Sequence, residues 1–473
     1  MVEASDRVVV LGAGPAGLSA AWKLAESGVD VAVVEAESHV GGLSHTIRRD
    51  GYLFDLGPHR FHTDNPAVLA EIERLVGPMP ERARKTRVYF MGHYYDYPLS
   101  ASNLLSSLSP WLGFTCFADF LATWARNKVR PAEDDSFESW VVNRFGRRLY
   151  DVYFGPYTAK VWGRDPRKLS ASWAAQRVAV VDLWDLVLRT LGVRRGYNHF
   201  HHSPYKPDFH YPLAGVGQIY DRMAEEVQRH GGSVSLGAPV REVICRDGRV
   251  ESVLVEREGR LEEIGGDYFV STMPIPDLVR ALRPRPPEVV LRAAGDLRFR
   301  AMIFLFLAID KESVSDDHWI YFPGQDLIFN RISEMRNFSP EAAPAGKTSL
   351  VVEITCDVDD EVWNESEEEL YRRSVEGLVK AGLIRADQVL GHFFTRSRHA
   401  YPTYDLNFEV NLGRLYYHLA GLENLVVAGR QGLFRYINQD HAIEMGLCAA
   451  EELIAEELGS RVARVGKEQV YFG

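Results

Sequence analysis

A chain of 473 residues, 46% hydrophobic and 25% charged, is long enough for two or three domains and has the balance of a soluble globular protein. Its net charge of −11 argues against duplex nucleic acid as a partner, and no apolar run reaches the roughly 18 residues that span a bilayer. Cys116, Cys245, Cys356 and Cys448 lie far apart without metal-ligand spacing, so buried free thiols in a cytoplasmic protein with no metal site are expected.

The first stretch, "RVVVLGAGPAGLSAAWKLAESGVDVAVVEA", reads as strand, glycine turn, amphipathic helix and second strand, with no signal-peptide pattern before it. Gly12, Gly14 and Gly17 stand in GxGxxG order. The first permits the turn, the second lets backbone approach a pyrophosphate, and the third brings helix close to strand. Glu35 ends the second strand about 20 residues on, where a carboxylate takes a ribose hydroxyl. A dinucleotide-binding fold of the Rossmann type follows.

Next comes "FDLGPHRFHT", residues 54 to 63, in which an apolar strand runs into a Gly-Pro corner carrying His59, Arg60 and His62. Polar residues at such a corner either face water or line a site. Residues 66–210 read as mostly helical and rich in aromatics; within them "PYTAKVWG" carries Pro and Gly punctuation and reads as a loop-like lining. Tyr157 and Trp162 offer flat faces for a base, or else pack as core.

Residues 211–294 return to the dinucleotide domain, with the helix "GQIYDRMAEEVQRHGG", a hairpin turning at Asp247-Gly248 and the strand "DYFVSTMP". Residues 295–415 hold the strands "AMIFLFLAI" and "TSLVVEITC" of a second, β-sheet domain. Residues 416–473 close the first domain with a strand, a Gly-Arg-x-Gly loop (Gly429, Arg430) and a helix of about 17 residues starting near Asp440. The expected fold class is thus α/β: a discontinuous Rossmann-type domain (1–65, 211–294, 416–473) with a helical insertion and a β-sheet substrate domain.

Gly41 and Gly42 form a second glycine pair of the kind found in glutathione-reductase-like and amine-oxidase-like flavoproteins, a resemblance that implies FAD. The late helix would then set its positive end beside the flavin N1–C2=O edge. "GPHRFHT", "YFGPYTAKVWG", "NRISEMRNF" and "GRQGLFRY", in this order, resemble the UDP-galactopyranose mutases, flavoenzymes that interconvert pyranose and furanose nucleotide sugars. The resemblance implies that His59 lies on the flavin face and tunes the reduced cofactor, and that Arg430 and Asn438 approach the flavin. Arg331 and Tyr436 would hold a diphosphate, Tyr157 and Trp162 the base. A salt bridge of Arg331 with Glu334 or another carboxylate is the alternative.

The sequence departs from the family at Val161 (usually Gln), Phe434 (Tyr) and Asn438 (an acid), so galactose is not implied as the sugar. In that family's mechanism N5 of the reduced flavin attacks the anomeric carbon, displaces the nucleoside diphosphate and carries the sugar as an adduct while the ring reopens and recloses. The expected activity is such a mutase, with NAD(P)H as a candidate external reductant and an oligomer as a candidate assembly. "FDLG" and "RDPRKLSASWA" also resemble protoporphyrinogen oxidase, which makes an FAD-dependent oxidoreductase the second reading.

Overall fold

The computed structural model describes residues 6–97, 110–130, 132–177, 208–455 and 461–465; much of the expected helical region, 98–109 and 178–207, lies outside them. A five-stranded, all-parallel sheet runs Leu425–Val427, Tyr268–Ser271, Arg7–Leu11, Asp30–Val34 and Ser233–Ser235 from edge to edge. Three widely separated parts of the chain therefore build one sheet. Val8, Val9 and Val10 are fully buried, the pattern of a central parallel strand covered on both faces.

The helix after the glycine turn, Pro15–Glu26, packs between Gly217–Arg229 and Gln439–Ala455. That last crossing is close: a Cβ on Gly446 would stand 2.1 Å from both the Ala16 carbonyl oxygen and Ser19 Oγ. Ser19 Oγ donates to the Ile443 carbonyl at 3.1 Å, joining the two helices through a small residue on each side.

Val240–Arg246 and Arg249–Arg257 pair antiparallel around Asp247 (φ 49°) and Gly248 (φ 76°), both on the left-handed side, as a two-residue hairpin turn demands. They belong to a separate four-stranded sheet, completed by Arg260–Gly265 and Leu282–Arg283.

The second large sheet has seven strands, in the order Val389–Pro402, Phe299–Ile309, Thr348–Cys356, Arg331–Glu334, Trp319–Tyr321, Thr86–Phe90 and His93–Asp96. Apart from Arg300, which pairs with Asp357, Phe299–Ile309 is apolar because both of its faces are covered. Met302, Phe304 and Phe306 face the dinucleotide-domain core, while Ile303, Leu305 and Leu307 face a core closed by Leu370 and Leu378 of the helix Glu367–Lys380. The last two strands come from the stretch expected to be mostly helical. Their aromatic and β-branched residues flank Met91 and Gly92, at φ 52° and 83°, a second tight hairpin that the helical reading passed over.

Candidate active site

The glycine turn sits at the carboxyl ends of the parallel strands, where open α/β sheets hold their ligands. A Cβ on Gly17 would lie 1.9 Å from the Gly12 carbonyl oxygen, so only glycine permits this helix-to-strand approach. Gly14, by contrast, faces open space, with nothing within 4 Å of a Cβ built there. Gly41 donates its backbone N–H to the Ala13 carbonyl at 2.8 Å, and Gly42 lies over Gly14, so the second glycine pair folds back onto the first turn. Glu35 stands just beyond the second strand; its carboxylate accepts the Ala13 N–H at 2.6 Å and the Glu37 N–H at 2.9 Å. A carboxylate and free space over a helix N-terminus fit a dinucleotide.

The Gly-Pro corner reaches the same place from another direction. Gly57 has φ 107°, and a Cβ there would meet Glu353 Oε1 at 2.9 Å, so both conformation and space require glycine. The His59 N–H closes the corner on the Gly57 carbonyl at 2.9 Å. Gln439, in the first turn of the C-terminal helix, donates to the carbonyls of His59 (3.2 Å) and Arg60 (3.0 Å) and accepts from Tyr220 at 2.6 Å. The corner and the helix start are thereby fixed to each other. Burial, then the charges of Arg430, Arg331 and His45, push the His59 imidazole down to about 3, so it is neutral. Its Nδ1 is buried and has no hydrogen-bond partner among the described residues, an atom that a flavin in this cleft would satisfy.

Against this corner, through Glu353, stands a group of arginine and tyrosine side chains. Arg331 donates from Nε and Nη2 to the two Glu353 oxygens at 2.7 and 2.6 Å, and from Nη2 to the Tyr401 hydroxyl at 3.3 Å. Burial works against its charge and Glu353 more than offsets that, so Arg331 remains a cation. Of the carboxylates open to Arg331 as partners, Glu353 takes the place and Glu334 is elsewhere: it accepts from the Val314 and Ser315 N–H groups and from Thr348. The pair with Glu353 is a buried one, with the two side chains 13% and 1% exposed.

Tyr401 and Tyr436 stack at 4.8 Å and 11°, and the Arg430 guanidinium stands 5.1 Å from the Tyr436 ring. Arg430 also donates to the Ile437 and Ala400 carbonyls, so it braces the loop that carries Tyr436. Asn438 precedes the C-terminal helix and accepts the Ala442 N–H at 3.1 Å.

The segment read as a loop-like lining is a helix, Gly155–Trp162, ended by Gly163 in the left-handed region. Pro156 is tolerated there because it lies in the first turn. Lys160, in the same helix, donates to the carbonyls of Phe322 (2.8 Å) and Gly324 (2.6 Å), docking it on the substrate sheet. Burial lowers its pKa to about 7, opposed by Asp326. Trp162 is 6% exposed, edge-on to Trp173 at 4.4 Å and near both Tyr401 and Tyr436, so it backs the stacked tyrosines. Tyr157 is half-buried beside Tyr153, at 6.1 Å.

Glu353, Tyr401 and Tyr321, whose ring lies 5.9 Å from the Arg331 guanidinium, were not singled out from sequence. The signal for Glu353 was a lone acid within the buried run "SLVVEITC", since a buried carboxylate needs a partner.

A family model described as flavin containing amine oxidoreductase matches residues 15–454. A probable UDP-galactopyranose mutase of Klebsiella pneumoniae is 28% identical over 48% of this chain and 54% of that protein. A dTDP-fucopyranose mutase of Escherichia coli is 26% identical over 42% and 49%. The chain spans about half the length of these curated relatives. The crystal structure of a reduced UDP-galactopyranose mutase superposes over 99% of this chain and 100% of that one, at TM-score 0.84 and 23% identity, which shows the fold. Among the described residues no helix is long and apolar enough to cross a membrane, and no cluster fit for a metal ion is present. The chain belongs to the flavin-containing amine oxidoreductase family, as a flavoprotein of the UDP-galactopyranose mutase-like kind.

Proposed function

We propose that this flavoprotein is a nucleoside-diphosphate-sugar mutase, interconverting pyranose and furanose forms without net redox change. The observation that carries this reading is the Arg331 fork beside the His59 corner: its charge acts on the His59 imidazole, and its partner Glu353 lies against Gly57. Nε and Nη2 of Arg331 are committed to Glu353 and Tyr401, and no protein acceptor engages Nη1 among the described residues. Two N–H donors on a fixed cation remain for a diphosphate. FAD, held by Gly12, Gly14, Gly17, Glu35, Gly41, Gly42 and Gly429, supplies the nucleophile toward the anomeric carbon when reduced.

The other roles belong to the chain. Arg331 orients the diphosphate, Tyr436 and Tyr401 present hydroxyls beside it, and Tyr157 offers its ring to the base. His59 stays neutral and so exchanges a hydrogen bond with the cofactor without adding charge. Arg430 and Lys160 position these groups.

The family match favours a second reading, an oxidoreductase that passes hydride to the flavin and on to oxygen. One experiment separates the two. Reduced, anaerobic protein is offered a panel of nucleotide sugars and the products are analysed by mass and chromatography. An isomer of unchanged mass, formed only by reduced protein, supports the mutase. Turnover by oxidised protein with stoichiometric oxygen uptake supports the oxidoreductase.

A further inference from the structure

A cavity of about 660 Å³ opens where the helix Ile275–Ala281 meets the second sheet, and neither His59, Arg331, Tyr401 nor Tyr436 lines it. Small-molecule sites occupy roughly 300–1,000 Å³. Arg164, Arg280, Arg298 and Arg398 line this one, against three aspartates, in a chain whose net charge is −11.

Two of the aspartates are already matched. Asp357 is held by Arg164 at 2.5 Å and by the buried Arg300 at 2.6 Å. Asp277 is held by Arg280 at 2.9 Å, with His399 Nε2 at 3.4 Å. Burial keeps the His399 pKa below its ordinary value, so His399 does not supply a further fixed charge. That leaves the exposed Arg298 and Arg398, neither of which forms an ion pair among the described residues, and Asp359 at the rim, which pairs with neither. Arg398 is nonetheless held in place, its guanidinium 5.6 Å from the centre of the Trp363 ring. Two uncommitted guanidiniums thus face one concavity, beside two carboxylates already paired with arginine and one, Asp359, at the rim.

We propose that this cavity is a second ligand site, separate from the cleft, for a phosphate-bearing small molecule held by Arg298 and Arg398. Guanidinium forks match phosphate oxygens in pairs, and the walls already position one of the two. The proposal does not depend on what the cleft does.

The flavin-loaded full chain is titrated with inorganic pyrophosphate, by calorimetry and by tryptophan fluorescence, as wild type, Arg298→Ser/Arg398→Ser and Trp363→Phe. Both arginines are exposed, so the double variant should keep its flavin spectrum and unfolding midpoint. In wild type, pyrophosphate should change Trp363 emission, a response that Trp363→Phe lacks. The double variant should bind it at least about tenfold more weakly at this site, the loss of one or two charge-assisted contacts. The readout is the part of the response that Trp363→Phe lacks: if pyrophosphate produces no such difference, or if the difference persists at unchanged affinity in the double variant, the proposal is overturned.

Discussion

Replacing Arg331 by alanine probes two roles that the structure assigns to one side chain. Against stability, the change deletes both hydrogen bonds to Glu353 and leaves that carboxylate, 1% exposed, without its cation. Removing one partner of a buried pair costs about 3–5 kcal/mol, so Arg331→Ala should lower the urea midpoint markedly. Against binding, it deletes the Nη1 donors proposed for the diphosphate. A charge-assisted contact there is worth about 1.5–3 kcal/mol, or roughly ten- to a hundred-fold in affinity. Arg331→Met/Glu353→Gln separates the two effects, because it neutralises both members at similar volume. That variant should recover most of the stability, yet bind a nucleoside diphosphate as poorly as Arg331→Ala. The assays are urea unfolding followed by tryptophan emission and calorimetric titration of the nucleoside diphosphate into flavin-loaded protein. Wild-type affinity in the double variant would refute the argument and leave Arg331 a structural ion pair.

Gly17→Ala should abolish flavin binding or soluble expression, since its Cβ would overlap the Gly12 carbonyl oxygen; flavin released on denaturation, measured against protein, checks this. His59→Ala should keep the fold but shift the two-electron potential of the bound flavin by about 30 mV or more, equivalent to roughly 1.4 kcal/mol, as read by spectroelectrochemistry. Burial holds His45 at about 4 and His59 at about 3, whereas each titrates near 6.5 when unfolded. Between pH 6.5 and those values the unfolded chain binds more protons. Stability should therefore fall as pH drops through that window, and less so in His59→Gln, by urea midpoints measured from pH 8 to pH 5.

Much of this was legible in the chain because local rules and the global fold agree. The glycine turn, the Asp247-Gly248 hairpin and the C-terminal helix each announce themselves through residues that only one backbone geometry admits. The Gly155–Trp162 helix was misread because Pro and Gly mark helix ends as well as loops, and the lysine that docks it finds its carbonyl partners more than 160 residues away. The Arg331 pair was half visible. Its basic member lies in a recognisable block, but its carboxylate is chosen by the pairing of Arg331 with Glu353 on adjacent antiparallel strands, a relation that no local window contains. Tyr401 joins the group only because Val389–Pro402 is the edge strand of the same sheet.

The parallel sheet carries a consequence for the order of synthesis. Its central strand, Arg7–Leu11, emerges first, but one neighbour is Tyr268–Ser271 and the edge beyond it is Leu425–Val427. The Pro15–Glu26 helix gains its closest partner only when Gly446 arrives. Closing such long loops is slow, and until then the nascent N-terminal unit exposes apolar strand faces. The flavin pocket is thus a late product of translation, and a chain released before residue 446 would carry the glycine turn in full without a completed pocket for the cofactor.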